Sequence, residues 1–347
     1  MHASFVIGSA SRIYIGSIRE ILPEVLPESR VAAISDAAID RLHHELLASY
    51  ASVLIGKGES IKTLQTVAAI YRKFLETGID RSTFVLGIGG GIVTDITGFA
   101  ASTYMRGLRF GFIPTTLLGQ VDAAIGGKNG VNIDGYKNIA GTFNQPQFVI
   151  CDPELLATLP EREFRAGLAE IIKAAIIADA ELFARLETVD LLHLRNDRNL
   201  LTEIIRSAIR VKVEIVARDE REAGERRKLN LGHTFAHAIE KCSTRMNHGE
   251  AVAVGIRMIA DAAVKAGLLA TADGERITAL LTRFGFALES PVEVKRLLKE
   301  SAKDKKNKDG MLRIVLPTRI GDCAVQTLTP TAFAALLPAR CAKEKTL

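Results

Sequence analysis

The residues best suited to chemistry are three of the seven histidines, His233, His237 and His248, which lie within sixteen positions of one another. His233 and His237 are four residues apart, so on a helix they would share one face about a turn apart. Imidazoles in this arrangement commonly bind a divalent transition metal, and His248 could supply another nitrogen from the next element. The alternative is an amphipathic helix with two surface histidines and a third histidine at a helix start.

A carboxylate that could join these histidines lies upstream, in the strongly apolar segment Arg165-Ala-Gly-Leu-Ala-Glu170-Ile-Ile-Lys173-Ala-Ala-Ile-Ile. As a helix, this segment places Glu170 and Lys173 on one side. Charged groups in so apolar a helix need a partner or a metal to offset the cost of burial. Because a hard substrate hydroxyl favours a mixed set of imidazole and carboxylate ligands, we expect Glu170 to complete the metal site.

A second kind of chemistry is indicated by the cluster Gly89-Gly90-Gly91, which follows a predicted strand and precedes a predicted helix. Backbone amides in such a turn can face a pyrophosphate at the helix N-terminus. The glycines do not match the G-x-G-x-x-G fingerprint, so alone they are weak evidence for nucleotide binding. Asp36, at the end of an earlier predicted strand, could accept hydrogen bonds from an adenosine ribose, although a helix N-cap is its commoner use.

Cationic and amide side chains also lie among glycines between residues 104 and 138. Point charges on flexible, glycine-rich loops are typical of an anion site. Taken one at a time, these residues would be solvated surface charges. The segments are Tyr104-Met-Arg106-Gly, Val-Asp122-Ala-Ala-Ile-Gly-Gly-Lys128 and Tyr136-Lys137-Asn138.

A chain of 347 residues favours two domains. These domains would position the side chains described above. Strands predicted at 30–36, 51–55 and 82–88 alternate with helical patterns. This alternation predicts an α/β nucleotide-binding domain, a parallel sheet with flanking helices, over residues 1–155. From 156 to 347 the pattern is helical apart from a short strand at 312–316, which predicts an all-α domain. Because this segment contains Glu170 and the three histidines, we expect it to bind the metal and the substrate.

Composition restricts the class of protein. With 48% hydrophobic and 24% charged residues, the chain is typical of a soluble globular protein, and no apolar run is long enough to span a membrane. The four cysteines show no paired spacing, which favours reduced thiols and a cytoplasmic location. A net charge of +5, spread along the chain, suits a small anionic substrate and is too mild to indicate nucleic acid.

Taken together, the motifs resemble one known family. In chain order they are Gly-Gly-Gly-x-x-x-Asp, Tyr-Met-Arg-Gly, Pro-Thr-Thr-Leu-Leu, Val-Asp-x-x-x-Gly-Gly-Lys, Lys-Asn, Ala-Glu-x-x-Lys, Asn-x-Gly-His-x-x-x-His and His-Gly-Glu. This series, from about Asp36 to Gly321, resembles the 3-dehydroquinate synthases, which are sugar phosphate cyclases related to metal-dependent polyol dehydrogenases. Each motif is modest alone, whereas eight in the same order are specific.

The resemblance implies an activity, that of a carbon–oxygen lyase acting on a phosphate. The family converts 3-deoxy-D-arabino-heptulosonate 7-phosphate into 3-dehydroquinate and phosphate, the second step of the shikimate pathway toward chorismate and the aromatic amino acids. Tightly bound NAD oxidises a hydroxyl transiently; phosphate is then eliminated, the hydride is returned and an intramolecular aldol step closes the ring. A divalent metal polarises the reacting oxygen, with zinc as the first expectation and cobalt as the alternative.

The resemblance also assigns site residues by matched position. Glu170, His233 and His248 match metal ligands, whereas His237 matches a substrate contact, so the spacing of the first two histidines would mislead by one ligand. The other substrate positions are Arg106, Asp122, Lys128, Asn138, Lys173, Lys212, Arg226, Asn230 and one of Lys305 and Lys306, between which one sequence does not decide. The NAD positions are Asp36, Glu59, Lys62, Gly90, Gly91, Asp95, Thr115, Thr116, Lys137 and Thr158.

Arg106 matches an arginine that the family supplies across a subunit interface, which implies a homodimer. Other classes stay open. A sister cyclase acting on another heptulose 7-phosphate, such as sedoheptulose 7-phosphate, is expected to differ where the substrate carboxylate binds, but the residues matched there are retained. An NAD-dependent polyol dehydrogenase would not need so many phosphate-directed cations. A non-catalytic scaffold would not need a competent residue at every matched position.

Overall fold

The computed structural model describes residues 3–8, 11–302 and 310–337, so Lys305 and Lys306 lie outside the described residues. The chain divides into two compact units. The first unit comprises Met1–Phe164 with Lys212–Ala217, and the second comprises Arg165–Val211 with Arg218–Leu347. Among the described residues, no helix combines the length and apolarity that crossing a membrane would require.

The strands are β1 (Ala3–Ile7), β2 (Ser11–Ile15), β3 (Val31–Asp36), β4 (Ala51–Ile55), β5 (Phe84–Gly89), β6 (Phe110–Pro114), β7 (Lys128–Ile133), β8 (Tyr136–Phe143), β9 (Phe148–Cys151), β10 (Leu312–Arg319) and β11 (Asp322–Leu328). The helices are α1 (Ile18–Val25), α2 (Ala37–Leu42), α3 (Leu64–Glu76), α4 (Gly91–Thr103), α5 (Glu161–Ala178), α6 (Ala180–Glu187), α7 (Leu191–Asn196), α8 (Arg198–Arg218), α9 (His233–Cys242), α10 (His248–Lys265), α11 (Thr271–Arg283), α12 (Val294–Ala302) and α13 (Pro330–Leu336).

The first unit is organised around a seven-stranded sheet in the order β1-β2-β9-β6-β5-β3-β4. All neighbouring pairs are parallel except β1 with β2. Strands β5, β6 and β9 are buried along their whole length, which explains their continuous apolar sequences. The α/β architecture with a parallel sheet, predicted from the alternating pattern, is therefore confirmed.

Helix α3 shows how the flanking helices form. Thr63 caps it, because its Oγ1 accepts a hydrogen bond from the backbone N–H of Thr66 at 3.3 Å. Val67, Ile70 and Phe74 follow at helical spacing and are all buried, so one face of the helix joins the core of the unit. The helix begins at Leu64, and residues 59–61 before it form a short 3-10 turn.

The second unit is mainly helical, as predicted. Helix α10 lies at its centre, with twelve of its eighteen residues buried, and it contacts α9, α11, α13 and strand β10. The strand predicted at 312–316 runs on to Arg319 and pairs with a second strand, β11, that the sequence analysis missed. The side chains of β11 are mostly half-buried, so it lacks the alternation of apolar and polar residues that would have indicated a strand.

Candidate active site

The carboxyl ends of the parallel strands bring most of the predicted NAD contacts to one edge of the sheet. In an open parallel sheet this edge is where ligands bind. Nine of the ten contacts follow strands β3, β4, β5, β6 and β9, and the tenth, Lys137, lies on β8. The nine are Asp36, Glu59, Lys62, Gly90, Gly91, Asp95, Thr115, Thr116 and Thr158.

The order of the strands reverses between β3 and β5, which makes a crevice at their carboxyl ends. Asp36 ends β3, and Gly90 follows β5. The carboxylate of Asp36 caps helix α2, since its Oδ1 accepts from the backbone N–H groups of Ala38 at 2.7 Å and Ile39 at 3.1 Å. The N-cap alternative for Asp36 is therefore what the structure has, and both of these bonds use one carboxylate oxygen.

The glycine turn lies against the segment that follows β6. A Cβ atom on Gly91 would lie 2.9 Å from the Cβ of Ala123, and one on Gly90 would lie 3.1 Å from Cγ2 of Thr116. Gly90 is also the N-cap of α4, so the first amides of that helix lie at this turn. Side chains at these two positions would fill the space in front of the helix N-terminus, where an anion would bind.

A buried ion pair lies beside the turn. The Nζ of Lys62, a residue only 5% exposed, pairs with Oδ2 of Asp95. Burial raises the pKa of the Asp95 carboxyl, and the charge of Lys62 opposes that rise. Thr158 contacts His43, with its Oγ1 3.0 Å from Nε2 of that histidine. The sequence did not single out His43.

The predicted substrate contacts of the first unit lie on two hairpin strands and two turns. Lys128 begins β7, and Asn138 lies on β8 with a left-handed backbone (φ 49°). Asp122 lies in the turn 119–123, where its Oδ1 and its backbone carbonyl oxygen each accept from Nζ of Lys212 at 2.6 Å. Arg106 ends a tight turn after α4, also with a left-handed backbone (φ 71°).

In the second unit, three side chains form a group that could hold a metal ion. Ligand atoms of Glu170, His233 and His248 all lie within 4.8 Å of one another. His237 is not a member of this group, although its ring centroid is 5.4 Å from that of His233. Glu170 is 2% exposed, and the Nζ of Lys173 is ion-paired with its Oε2.

Close packing of three helices brings the group together. Glu170 lies in α5, His233 begins α9 and His248 begins α10. A Cβ atom on Gly249 would lie 2.2 Å from Cα of Ala166 in α5, so α10 starts in direct backbone contact with that helix. Gly232 has φ 77°, and a Cβ there would lie 2.9 Å from the backbone nitrogen of Ile256 in α10. The glycines beside the histidines thus serve helix packing.

Hydrogen bonds orient both histidine rings. Nδ1 of His233 lies 3.1 Å from the carbonyl oxygen of Leu231, and Nδ1 of His248 lies 3.2 Å from Oε1 of Glu240. Each contact favours a proton on Nδ1 and leaves Nε2 toward Glu170, at 3.6 Å for His233 and 3.3 Å for His248. Such outer hydrogen bonds fix the tautomer that a metal-binding imidazole needs.

The electrostatics of the metal-free group are uneven. Burial would raise the pKa of Glu170, but Lys173 and the two histidines outweigh burial and hold that pKa well below its usual range. Burial and the charge of Lys173 lower the pKa of His233 to about 4. Burial also disfavours the charged form of His248, but hydrogen bonds to Glu170 and Glu240 raise its pKa to about 10. These two pKa values favour a neutral His233 and a charged His248 at neutral pH in the absence of metal.

Two more predicted contacts of the second unit lie in the short helix Glu225–Asn230. Arg226 is 2% exposed, and its Nη1 donates to the carbonyl oxygen of Glu220. Asn230 donates through Nδ2 to Oε1 of Glu222 at 2.5 Å. Glu222 was not predicted. Its left-handed backbone (φ 61°), which is uncommon for glutamate, becomes visible only in the structure.

Comparison with known proteins places this geometry in a family. The model for the N-terminal domain of 3-dehydroquinate synthase matches residues 52–166, and the model for its C-terminal domain matches residues 167–307. The 3-dehydroquinate synthase of Halorhodospira halophila is 44% identical over 324 residues, which cover 90% of this chain and 91% of that protein. The enzyme of Microcystis aeruginosa is 46% identical over 286 residues, which cover 80% of this chain and 78% of that protein.

Solved structures of related enzymes share the fold of this chain. The 2-epi-5-epi-valiolone synthase of Streptomyces hygroscopicus subsp. jinggangensis, with NAD+ and Zn2+ bound, is 31% identical, with a TM-score of 0.86 over 96% of this chain and 97% of that one. A 2-deoxy-scyllo-inosose synthase, with carbaglucose-6-phosphate, NAD+ and Co2+, shares the fold at 23% identity, with a TM-score of 0.85 over 97% of this chain and 99% of that one. The family models and curated relatives show that the chain belongs to the 3-dehydroquinate synthase family.

Proposed function

We propose that the protein is a 3-dehydroquinate synthase that converts 3-deoxy-D-arabino-heptulosonate 7-phosphate into 3-dehydroquinate and phosphate. The observation that carries the proposal is the convergence of Glu170, His233 and His248 in a chain 44% identical to a curated synthase along nine-tenths of its length. A cytoplasmic location, expected from the scattered cysteines, belongs to the same proposal.

NAD is the proposed nucleotide, and the first unit fits it. The bare glycine turn, the N-terminus of α4 and the hydroxyls of Thr115 and Thr116 lie at the edge of the sheet where a pyrophosphate can accept hydrogen bonds. Asp36 ends the strand beside the crevice and could reach a ribose with the oxygen that does not cap α2. When bound, NAD would accept a hydride from the carbon that bears the reacting hydroxyl and would later return it.

Zinc is the proposed metal, with cobalt as the alternative. The donor set of one carboxylate oxygen and two imidazole nitrogens suits a catalytic zinc, which leaves further positions for substrate. When bound, the metal polarises the oxygen of the hydroxyl that is oxidised. Glu240 and the carbonyl of Leu231 would keep the two imidazoles oriented for this task.

The remaining proposed contacts bind and orient an anionic sugar phosphate. Those with a cationic or imidazole side chain are Arg106, Lys128, Lys173, Lys212, Arg226 and His237. Cations that are already held in place stabilise the departing phosphate and the carboxylate without reorganising during the reaction. Three further side chains would orient the substrate, because hydrogen bonds are directional. They are the amides of Asn138 and Asn230 and the carboxylate of Asp122.

The test is product formation by the purified protein with catalytic NAD and zinc. Dehydroquinate, detected through its dehydratase, and phosphate should appear in equal amounts from the heptulosonate phosphate, and a chelator should abolish both. Sedoheptulose 7-phosphate in place of that substrate should give no product. Turnover of sedoheptulose 7-phosphate alone would identify a sister cyclase instead, and oxidation with net accumulation of NADH would identify a dehydrogenase.

We also propose a homodimer in which Arg106 serves the site of the neighbouring subunit. Strand β8 exposes Tyr136, Ile139 and Phe143, and Met105 beside Arg106 is exposed as well. Exposed apolar side chains of this size are typical of a protein interface. Arg106 is itself exposed, and its left-handed backbone carries a conformational cost that function would explain.

Mixing two inactive variants tests this arrangement. Arg106→Ala and Glu170→Gln should each lose activity, but a mixture refolded together should regain roughly a quarter of it, because mixed dimers contain one intact site. Sedimentation should give the mass of a dimer for both variants. An inactive mixture of dimers would show that Arg106 acts within its own subunit.

A further inference from the structure

The hairpin of β7 and β8 is irregular at one place. The ladder shifts register between Val131 and Ile133, so a single residue of β7, Asn132, stands opposite residues 137–139 of β8. Such a bulge takes residues out of the ladder and re-aims their side chains, and bulges are frequent beside active sites. The bulged residues include Lys137, a proposed NAD contact, and Asn138, a proposed substrate contact.

Asn132 uses its backbone and both ends of its side-chain amide at this bulge. Its Oδ1 accepts from the backbone N–H of Asn138 at 2.9 Å, and its Nδ2 donates to Oε1 of Glu59 at 2.8 Å. Its backbone N–H donates to the carbonyl oxygen of Lys62 at 2.8 Å, and it forms a β-bridge with Thr63. Glu59 and Lys62 are both proposed NAD contacts.

We propose that Asn132 is a positioning residue that joins the NAD-binding segment 59–62 to the substrate contact Asn138, an inference that rests on the function proposed above. Asn138 has a left-handed backbone, which asparagine adopts more readily than most residues, and the bond from its N–H to Oδ1 of Asn132 ties that backbone to the bulge. An amide can accept from one group while it donates to another, whereas a carboxylate lacks the donor and an aliphatic side chain lacks both functions. The chemistry of Asn132 therefore matches its two partners, one a backbone donor and the other a carboxylate.

Two substitutions separate the two halves of this role. Asn132→Asp keeps an acceptor for the N–H of Asn138 but turns a carboxylate oxygen toward Glu59. Its dissociation constant for NAD+, measured by calorimetry on the zinc-loaded protein, should rise roughly tenfold, the effect of losing a hydrogen bond to a charged group. Its KM for the heptulosonate phosphate should stay within about twofold of wild type. Asn132→Ala removes both bonds, so both constants should rise.

Asn144→Ala is the matched control. This amide lies at the base of the same hairpin and donates to Oγ of Ser102 at 2.9 Å, away from both proposed contacts. Its substitution should leave the NAD+ affinity and the KM unchanged. If Asn132→Ala does not fold, Asn132→Asp decides alone, because it has the size and shape of the native residue.

Equal changes in both constants for Asn132→Asp, or no change in either, would overturn the inference and leave Asn132 as a structural residue of the hairpin. Failure of the proposed function gives a different result. The wild-type protein would then not turn over the heptulosonate phosphate, while the NAD+ affinities of Asn132→Asp and Asn144→Ala would still decide whether Asn132 positions the cofactor segment.

Discussion

The candidate sites of the two units consist of different chemical groups. At the edge of the sheet, the proposed NAD site has a glycine turn and helix amides at its centre, with the buried ion pair of Lys62 and Asp95 beside them. In the helical unit, the metal group consists of three ionisable side chains from three helices, with a buried lysine beside them. The glycine turn should therefore be sensitive to added bulk, whereas the metal group should depend on each of its charges.

Glu170→Gln should have the largest effect. It removes a proposed metal ligand and the charge that faces Lys173. Loss of an outer partner of a metal ligand already costs roughly 10–100-fold in affinity, so loss of the ligand itself should exceed roughly 100-fold. Zinc content measured by atomic emission should fall to near zero, together with activity, while the dissociation constant for NAD+ stays unchanged. Glu181→Gln, an exposed carboxylate of the same unit, is the control. Full zinc content in Glu170→Gln would remove Glu170 from the ligand set.

Gly91→Ala should show the opposite selectivity. Its added methyl group would lie 2.9 Å from the Cβ of Ala123, a rigid neighbour, so the turn in front of α4 has to shift. Overpacking of this kind costs about 1–3 kcal/mol. The amides of the turn would move with it, so the dissociation constant for NAD+, measured by calorimetry, should rise roughly tenfold for each hydrogen bond to a phosphate that is lost. Zinc content should remain that of wild type. A variant that lost zinc and kept its NAD+ affinity would contradict the division between the units.

Proton release should distinguish the two histidines of the metal group. The pKa of His233 is about 4 and that of His248 is about 10 in the metal-free protein, so at pH 7 only His248 carries a proton. A metal binds the neutral imidazole, so binding below pH 10 must displace that proton, and affinity should rise with pH by roughly tenfold per unit. Calorimetry at pH 7 in buffers of different ionisation enthalpy should give one proton released for each zinc bound.

Glu240→Gln is the companion variant for this experiment. Glu240 accepts from Nδ1 of His248 and contributes to its raised pKa. Its replacement should lower that pKa and reduce the number of protons released at pH 7. Release of no proton by the wild type would mean that His248 is already neutral before the metal binds.

The sequence predicted the fold better than it predicted the geometry of the metal group. Strands β3, β4 and β5 were predicted because they are continuous apolar runs, and the glycine turn marked the end of the third. The i,i+4 rule identified His233 and His237 as neighbours on α9. Which nitrogens converge on Glu170 depends on where α5 and α10 lie, and spacing along one helix does not contain that information.

Other features left no readable pattern in the sequence. Strand β8 is exposed along most of its length, so it lacks an alternation of buried and exposed residues. The bulge at Asn132 depends on pairing between strands, and the left-handed backbone of Glu222 depends on the loop around it. These are interactions between segments, whereas sequence patterns report mainly on one segment at a time.

Cys242→Ser should have the smallest effect, and it tests whether the metal group is complete without sulfur. Cys242 ends α9, the helix that His233 begins, and a thiol so placed could be mistaken for a zinc ligand. It is half-buried and is not part of the group formed by Glu170, His233 and His248. Because serine is nearly isosteric and no metal bond would be lost, zinc content should stay within about twofold of wild type. Alkylation should support the same conclusion. Of the three cysteines that the structure describes, Cys242 should react first, because Cys151 and Cys323 are buried and burial raises the pKa of the Cys323 thiol to about 12. Zinc lost on substitution, or zinc that protects Cys242 from alkylation, would add a sulfur ligand to the helical unit and weaken its contrast with the sheet.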